Sequence, residues 1–456
     1  MLNYENIQDA MGVTIAMSND MANAIYQWNN AYMNRSPWLN NEIKSLQLPA
    51  AICSEMARLV TMESSICISG SRRAEYIKTQ MSTILAHIRQ YVEFACAKGG
   101  IVFKPYPSLN GIAIDVVHAD NFFPVAFNNN GEITAAIFPE FKKDGKKMYT
   151  RLEYHAFDGN TYKIQNRAFY SENVIVRVNN VLKLGTEIPL SIVKEWEDIE
   201  PEAEIAGLER PLFSYFHIPL ANNIDPYSPL GVSIYTRSLP IIKDADEQYG
   251  AALWEYKSKE TAVQAGKEFF DKDRYGNVRM PAGKERMYFA LGDAVDKNGA
   301  PFFNVYSPEI RNESYFKGLN EILRRIEFNS NLAYGTLSDP NNVDKTAEEI
   351  KASKQRSYST VKEIQNALDV AIRNLVYAID AWISIEDQMP DGKIDVSCSW
   401  DDSIVVDKEK ELMSMQQDAA SGMIRKEIYI AQKYGVTEKE AIKMMPVQPR
   451  AFPDDE

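Results

Sequence analysis

The chain has 456 residues, of which 45% are hydrophobic, 25% charged and 11% aromatic, so it can bury a sizeable core and is not an intrinsically disordered polypeptide. Its net charge of -13 excludes the usual duplex-gripping protein, whose affinity comes from Lys and Arg displacing phosphate counterions. Four scattered cysteines, Cys53, Cys67, Cys96 and Cys398, form no CxxC pair and exclude a zinc ribbon or a disulfide framework.

At this length two or three packed units are expected. From Thr14 to Trp38, the residues Ile15, Met17, Met21, Ile25, Trp28 and Tyr32 approximate a helical stripe that Asn34 to Pro37 breaks. A second helix is predicted from Leu48 to Met62. A third runs from Arg72 to Lys98 through Ile77, Met81, Leu85, Ile88, Val92 and Ala95, and Gly99-Gly100 ends it as a C-cap pair does. Strands follow at Ile101 to Lys104, Ile112 to Val117, Thr134 to Phe138, Tyr149 to His155 and Tyr162 to Asn166. Turns such as Asn128 to Gly131 and Asp144-Gly145 separate them, and one antiparallel meander is expected.

After Pro229 and Gly231 the pattern turns helical. A helix is expected over 233–261, kinked or starting late at Pro240. A small β-containing interruption covers 263–311, where Asn298-Gly299 is predicted to join strands 286–291 and 302–306 as a hairpin. Helix resumes from Asn312 to Leu332 on the repeat Tyr315, Leu319, Ile322 and Ile326. The segment Gly335 to Asp344 breaks it, and Thr346 with Glu349 forms a capping box for a helix that reaches Ile385. The first turns of that helix, Glu348 to Ser357, are polar nearly all round and are expected to project into solvent or a cavity; the later ones carry an apolar stripe. A strand from Lys393 to Trp400 leads into three short helices punctuated by Gly422 and Gly435, the last opened by a capping box from Thr437 to Glu440.

No phosphate-binding Gly-rich loop, GxSxG, HExxH or GxGxxG occurs, and His87, His118, His155 and His217 have no metal-like spacing. Asp401-Asp402 is the best acidic pair, but neighbours in an extended segment point to opposite faces, and a turn with Asp407 capping the next helix is the simpler reading. The basic tip of Lys142, Lys143, Lys146 and Lys147 and the acidic run Glu195 to Glu204 read as solvated turns. No enzyme, metal or cofactor is therefore expected. Lacking a basic-then-apolar opening and any run of about 18 apolar residues, the chain is expected in the cytoplasm and off the membrane.

The order of elements resembles the portal proteins of tailed phages, specifically the Gram-positive siphophage type. The wording that carries the resemblance is LPAAICSEMARLV at 48–60, GGIVFKPY at 99–106, HADNFFPVAF at 118–127, SPLGVSIY at 228–235, SPEIRNESYF at 307–316 and YGTLSDPNNVDKTAEEIKAS at 334–353. The likeness implies an α+β, mainly helical portal fold: a helical arm over 1–45, an α/β wing over 46–232, stem helices over 233–262 and 312–334, and a clip over 263–311. It further implies a tunnel loop over 335–345, a long wing helix and strand over 346–405, and a crown over 406–456 that is short for the family.

In function the resemblance implies a ring, expected to be a dodecamer, at one capsid vertex, assembled in the host cytoplasm and carried in the virion. Double-stranded DNA passes through it, and its partners are the terminase large subunit, the head-tail adaptor, the major capsid protein and scaffold. Residues expected at the DNA channel are Thr336, Ser338, Asp339, Asn341, Asn342, Asp344 and Lys345, unless the loop is only a helix connector. Arg274, Tyr275, Arg279, Arg286, Phe302 and Phe303 are expected at the clip's docking surface. Arg324 and Arg325 face either the lumen or a neighbouring subunit, with inter-subunit pairing preferred. Two alternatives remain open: another virion protein such as a minor head protein, and a hydrolase built on Asp401 and Asp402.

Overall fold

The computed structural model describes residues 4–62, 64–172, 184–258, 262–279, 288–290, 299, 302–306, 312–339, 347–400, 408–434 and 438–444. They divide into a large unit, residues 1–61 with 66–398, and a small one, residues 62–65 with 399–456. Helix outweighs strand in an α+β arrangement, as expected.

Two helices open the chain, α1 (Tyr4–Met11) and α2 (Asn19–Tyr32). Ser18 caps α2 by accepting from the Met21 amide, which satisfies one of the orphan donors at a helix start. The stripe that pointed to a helix from Thr14 therefore begins later than expected. Ile15 instead joins Ile7 and Met11 in covering one face of a sheet, where they pack on Phe123, Ile137, Leu152 and Phe169.

Next come α3 (Leu48–Thr61), β1 (Ser64–Ser69), α4 (Arg72–Ala86) and α5 (Ile88–Lys98). The single helix expected over 72–98 is two, because His87 leaves the helical conformation and its ring Nδ1 bonds the Thr83 carbonyl at 2.9 Å. The apolar residues Ile77, Met81, Ile84, Ile88, Val92 and Ala95 are spaced so that the stripe runs straight across the break. Periodicity alone did not reveal it.

Strands β2 (Gly100–Ser108), β3 (Gly111–His118), β4 (Phe123–Phe127), β5 (Ile133–Asp144), β6 (Lys147–Asp158), β7 (Thr161–Ser171), β8 (Thr186–Ile188), β9 (Glu202–Ala206) and β10 (Ser214–His217) follow. They form two antiparallel sheets, correcting the single meander: β10-β2-β3 in one, and β4-β5-β6-β7-β8 with β9 also on β7 in the other. Position in sequence suggested one sheet, but the partner that takes β2 away, β10, lies more than a hundred residues downstream.

The elements from there to Trp400 are α6 (Leu239–Ser258), β11 (Ala262–Ala265), β12 (Tyr288–Ala290), β13 (Phe303–Tyr306), α7 (Asn312–Asn329), α8 (Ala347–Ile385) and β14 (Asp395–Trp400). Helices α3, α5 and α8 pack with the β2 sheet as the main core. Along α8, Ile364, Leu368, Ile372, Leu375 and Ile379 are fully or almost fully buried, each contributing about 1.5–3 kcal/mol. Polar bonds fix the register: Ser214 Oγ donates to the Ala371 carbonyl at 2.6 Å, and Gln365 donates to the Val60 carbonyl at 3.1 Å.

Buried Arg73, at 3% exposure, ties α4 to the end of α8. Its five N–H groups reach the Asp380 carboxylate and carbonyl, Ser384 Oγ, the Met389 carbonyl and Asp391. In the long-stranded sheet, the Glu153 carboxylate receives Lys104, Arg151 and His155. Trp38 Nε1–H and the Leu46 amide both donate to buried Asp246, holding the segment after α2 against α6.

The small unit carries α9 (Lys408–Ala420), α10 (Lys426–Tyr434) and α11 (Glu438–Met444), with α10 packed on both others. These are the three short helices expected, α9 ending just before Gly422 at positive φ. Asp401, Asp402, Asp407, Gly435 and Thr437 fall outside the described residues, as does the capping Thr346.

Candidate functional site: the paired helices and the segment behind them

Helix α6 starts late, at Leu239, which puts Pro240 in the first turn where its missing N–H costs nothing. It pairs with α7 in antiparallel fashion. At one end Ser238 Oγ lies 2.7 Å from Ser330 Oγ, and at the other the rings of Tyr256 and Phe316 are 6.5 Å apart. Twenty residues at 1.5 Å each make α6 about 30 Å long.

The Tyr256–Phe316 end carries the small sheet, in which β11 is central, parallel to β12 and antiparallel to β13. The expected hairpin of 286–291 with 302–306 is thus not formed: both strands pair instead with β11, a short strand that no apolar run announced. Of the predicted docking residues, Arg274, Tyr275 and Arg279 are exposed, Tyr275 at 90%. They ride on a turn that Asp273 organises by accepting from the Tyr275 and Asn277 amides, both at 2.8 Å. Those N–H groups hold the Asp273 carboxyl below its ordinary range. Phe303 is exposed and its ring lies 5.5 Å from that of Phe269, while Phe302 is half-buried. Arg286 is outside the described residues.

Toward the Ser238–Ser330 end, a cleft of about 420 Å³ lies between Ile241 of α6 and Arg324, Arg325, Phe328 and Tyr334. Arg324 pairs with Glu321 of its own helix, and Arg325 is exposed. Each α6 and α7 position can be levelled from the serine contact. Asp244 on α6 and Arg324 on α7 are each six residues from it, about 9 Å along the axis, and so stand at the same height, with Lys243 and Arg325 one residue nearer the contact.

Behind α7 the chain doubles back along the helix. Asn331, with φ of 55°, ends α7, and the Leu332 amide donates to the Glu327 carbonyl at 2.9 Å. Of the predicted channel residues, Thr336 is exposed and donates to the Ala333 carbonyl at 2.6 Å. Ser338 is buried, its hydroxyl and amide both on the Glu327 carboxylate. Asp339 is exposed, with its amide on Asn320 Oδ1 at 2.8 Å. Asn341, Asn342, Asp344 and Lys345 lie outside the described residues.

Sequence reasoning missed Glu327, Asn320, Ser353 and Arg356. The first turns of α8 do not all project: Ser353 and Ser357 are buried, and Ser353 Oγ accepts from the Tyr334 amide at 2.8 Å. Arg356 stacks over Phe328 and Tyr334, 4.3 and 5.7 Å from the ring centroids. The signal was available in part, since Asn320 and Glu327 stand one heptad apart on the same apolar side of α7 as Leu319 and Ile326.

Among the described residues no group of three or more His, Cys, Asp or Glu is arranged to hold a metal ion, and no helix is long and apolar enough to cross a membrane. No curated protein matches the chain. The family described as phage portal protein, SPP1 Gp6-like, matches it over residues 78–448, a span that takes in both paired helices, the small sheet between them and all of α8. That is the family its wording resembled, and the chain belongs to it: a phage portal protein of the SPP1 Gp6-like type.

Proposed function

We propose that the chain is one subunit of a closed ring, of twelve copies, that sits at a single capsid vertex and passes double-stranded DNA during packaging and ejection. In this reading α6 and α7 are the stem and residues 263–311 the clip, which docks the terminase large subunit and later the head-tail adaptor through Arg274, Tyr275, Arg279, Arg286, Phe302 and Phe303. Residues 335–345 are the tunnel loop, residues 46–232 and 346–405 the wing, and residues 406–456 the crown. The wing side meets the major capsid protein and scaffold, and the ring travels in the virion after assembly in the host cytoplasm.

The observation that carries the reading is the antiparallel α6–α7 pair with an inserted sheet at one end and a returning segment at the other. Such a pair offers two different long faces, which is what a head-to-tail contact needs if its rotation is to close into a ring. Asp244 and Arg324 stand at one height, which favours contact between Asp244 of one copy and Arg324, or the adjoining Arg325, of the next, since ring symmetry preserves height. The net charge of -13 suits a conduit, because a wall rich in Lys and Arg holds phosphates through counterion release and resists sliding.

Negative-stain microscopy and native mass spectrometry of the purified protein, with capsid and scaffold proteins present in a parallel sample, test the proposal. Channelled rings are expected. Monomers and dimers alone in both samples would overturn it, and non-ring particles would favour another virion component.

A further inference from the structure

Glu327 is the least expected residue of α7. It is fully buried, on the same side as Ile326, and no Lys or Arg pairs with it among the described residues. An ionised carboxylate there is costly unless donors replace water. Three do: the Leu337 amide at 2.6 Å, the Ser338 amide at 2.8 Å and the Ser338 hydroxyl at 2.9 Å. Seven residues earlier on the same helix, about 10 Å away along the axis, buried Asn320 accepts from the Asp339 amide. The segment is thus pinned at two heights on α7, while Ser353 and Arg356 hold Tyr334 to α8.

Ending the helix does not require the Glu327 side chain. Asn331 in the left-handed conformation and the bond from the Leu332 amide to the Glu327 carbonyl already do that. An apolar side chain would fill the site without a desolvation penalty. What the carboxylate adds is a fixed path for the chain that leaves the helix.

We infer that Glu327 is a positioning residue: its carboxylate, with Asn320, straps residues 337–339 to α7 and so sets the point at which the chain departs from the stem. Ser338 is then part of the strap and not a DNA contact, which leaves Thr336 and Asp339 as the outward residues of this stretch. The consequence for DNA movement rests on the proposed reading of residues 335–345 as the tunnel loop; the strap itself does not.

Hydrogen exchange read by mass spectrometry on the assembled protein separates the two. Glu327→Leu and Ser338→Ala are compared with Glu327→Gln, which keeps an acceptor. Exchange of the 333–339 amides should rise about tenfold or more in Glu327→Leu, as loss of hydrogen bonds to a charged group predicts, and less in Glu327→Gln, with α6 and the first turns of α7 unchanged. Unchanged exchange at 333–339, or an equal rise throughout α6 and α7, overturns the strap. If exchange responds as expected while packaged DNA per particle stays at the wild-type level, the strap stands and the tunnel-loop reading falls.

Discussion

Gly99 and Gly231 cross so closely that each is the other's wall. Gly99 closes α5 with φ of 91°, and a Cβ there would lie 2.3 Å from the Gly231 carbonyl oxygen. A Cβ on Gly231 would lie 2.2 Å from the Gly99 carbonyl oxygen. Restoring van der Waals separation requires a backbone shift on the order of 1 Å. Three costs follow for Gly99→Ala: about 1–2 kcal/mol for an Ala in the left-handed region and about 1–3 kcal/mol for overpacking. The third is about 1 kcal/mol for each backbone bond the shift breaks. Two such bonds are at stake, from the Ile218 amide to the Gly99 carbonyl and from the Ile234 amide to the Cys96 carbonyl, both 2.9 Å. With both bonds broken the total is about 4–7 kcal/mol.

Urea unfolding followed by tryptophan fluorescence measures it. Gly231→Ala, whose backbone is not at positive φ, should cost less than Gly99→Ala. The double substitution should cost less than the sum, because one displacement relieves both clashes. A Gly99→Ala variant within about 0.5 kcal/mol of the parent, or strict additivity in the double, would refute the crossing as a constraint.

Three further outcomes are expected. Arg73→Met should destabilise by about 1–3 kcal/mol in the same assay, since it removes charge-assisted hydrogen bonds from a buried guanidinium to half-buried and exposed acceptors, whereas Asp391→Ala, removing a partner that is 98% exposed, should change little. Leu368→Ala, at a fully buried site on α8, should cost about 2–5 kcal/mol. For acid stability, burial works against the Glu153 charge, but Lys104, His155 and Arg151 outweigh it and hold the carboxyl well below its ordinary range. Its stabilising contribution is therefore complete above the usual carboxylate pKa and is lost as pH falls through the folded value. Burial lowers the pKa of His155, so its neutral form is favoured and acid erodes stability from about pH 6.5 downward. His155→Gln should remove that upper phase of an unfolding profile measured against pH and shrink the lower one, because Glu153 loses one of the groups that hold its carboxyl down.

Much of the architecture was readable because it depends on local spacing. Helix α8, from Ala347 to Ile385, falls almost where its apolar stripe placed it, and Pro240 correctly marked a late helix start. The errors share a cause in contacts between distant segments. Nothing near β2 says that its partner is Ser214–His217, and nothing near 288–290 or 303–306 names Ala262–Ala265 as the strand between them. At the site, Arg274, Tyr275 and Arg279 emerged on the surface as turn residues should, because a turn is settled locally. Ser338 did not, since its fate depends on a carboxylate eleven residues upstream whose burial comes from tertiary packing.

The small sheet's central strand is the first of its three in the chain, and this constrains how the module is made. Because β11 follows α6 directly while β13 comes about forty residues later and β12 lies parallel to it, no two consecutive strands zip up as a local ribbon. Closing the sheet must await the return of the polypeptide toward α7, a long loop closure with its own entropic toll. Grafting this tip onto another scaffold would thus demand the entire excursion and two anchoring ends held at the right separation; shorter peptides cut from either flank should remain unstructured.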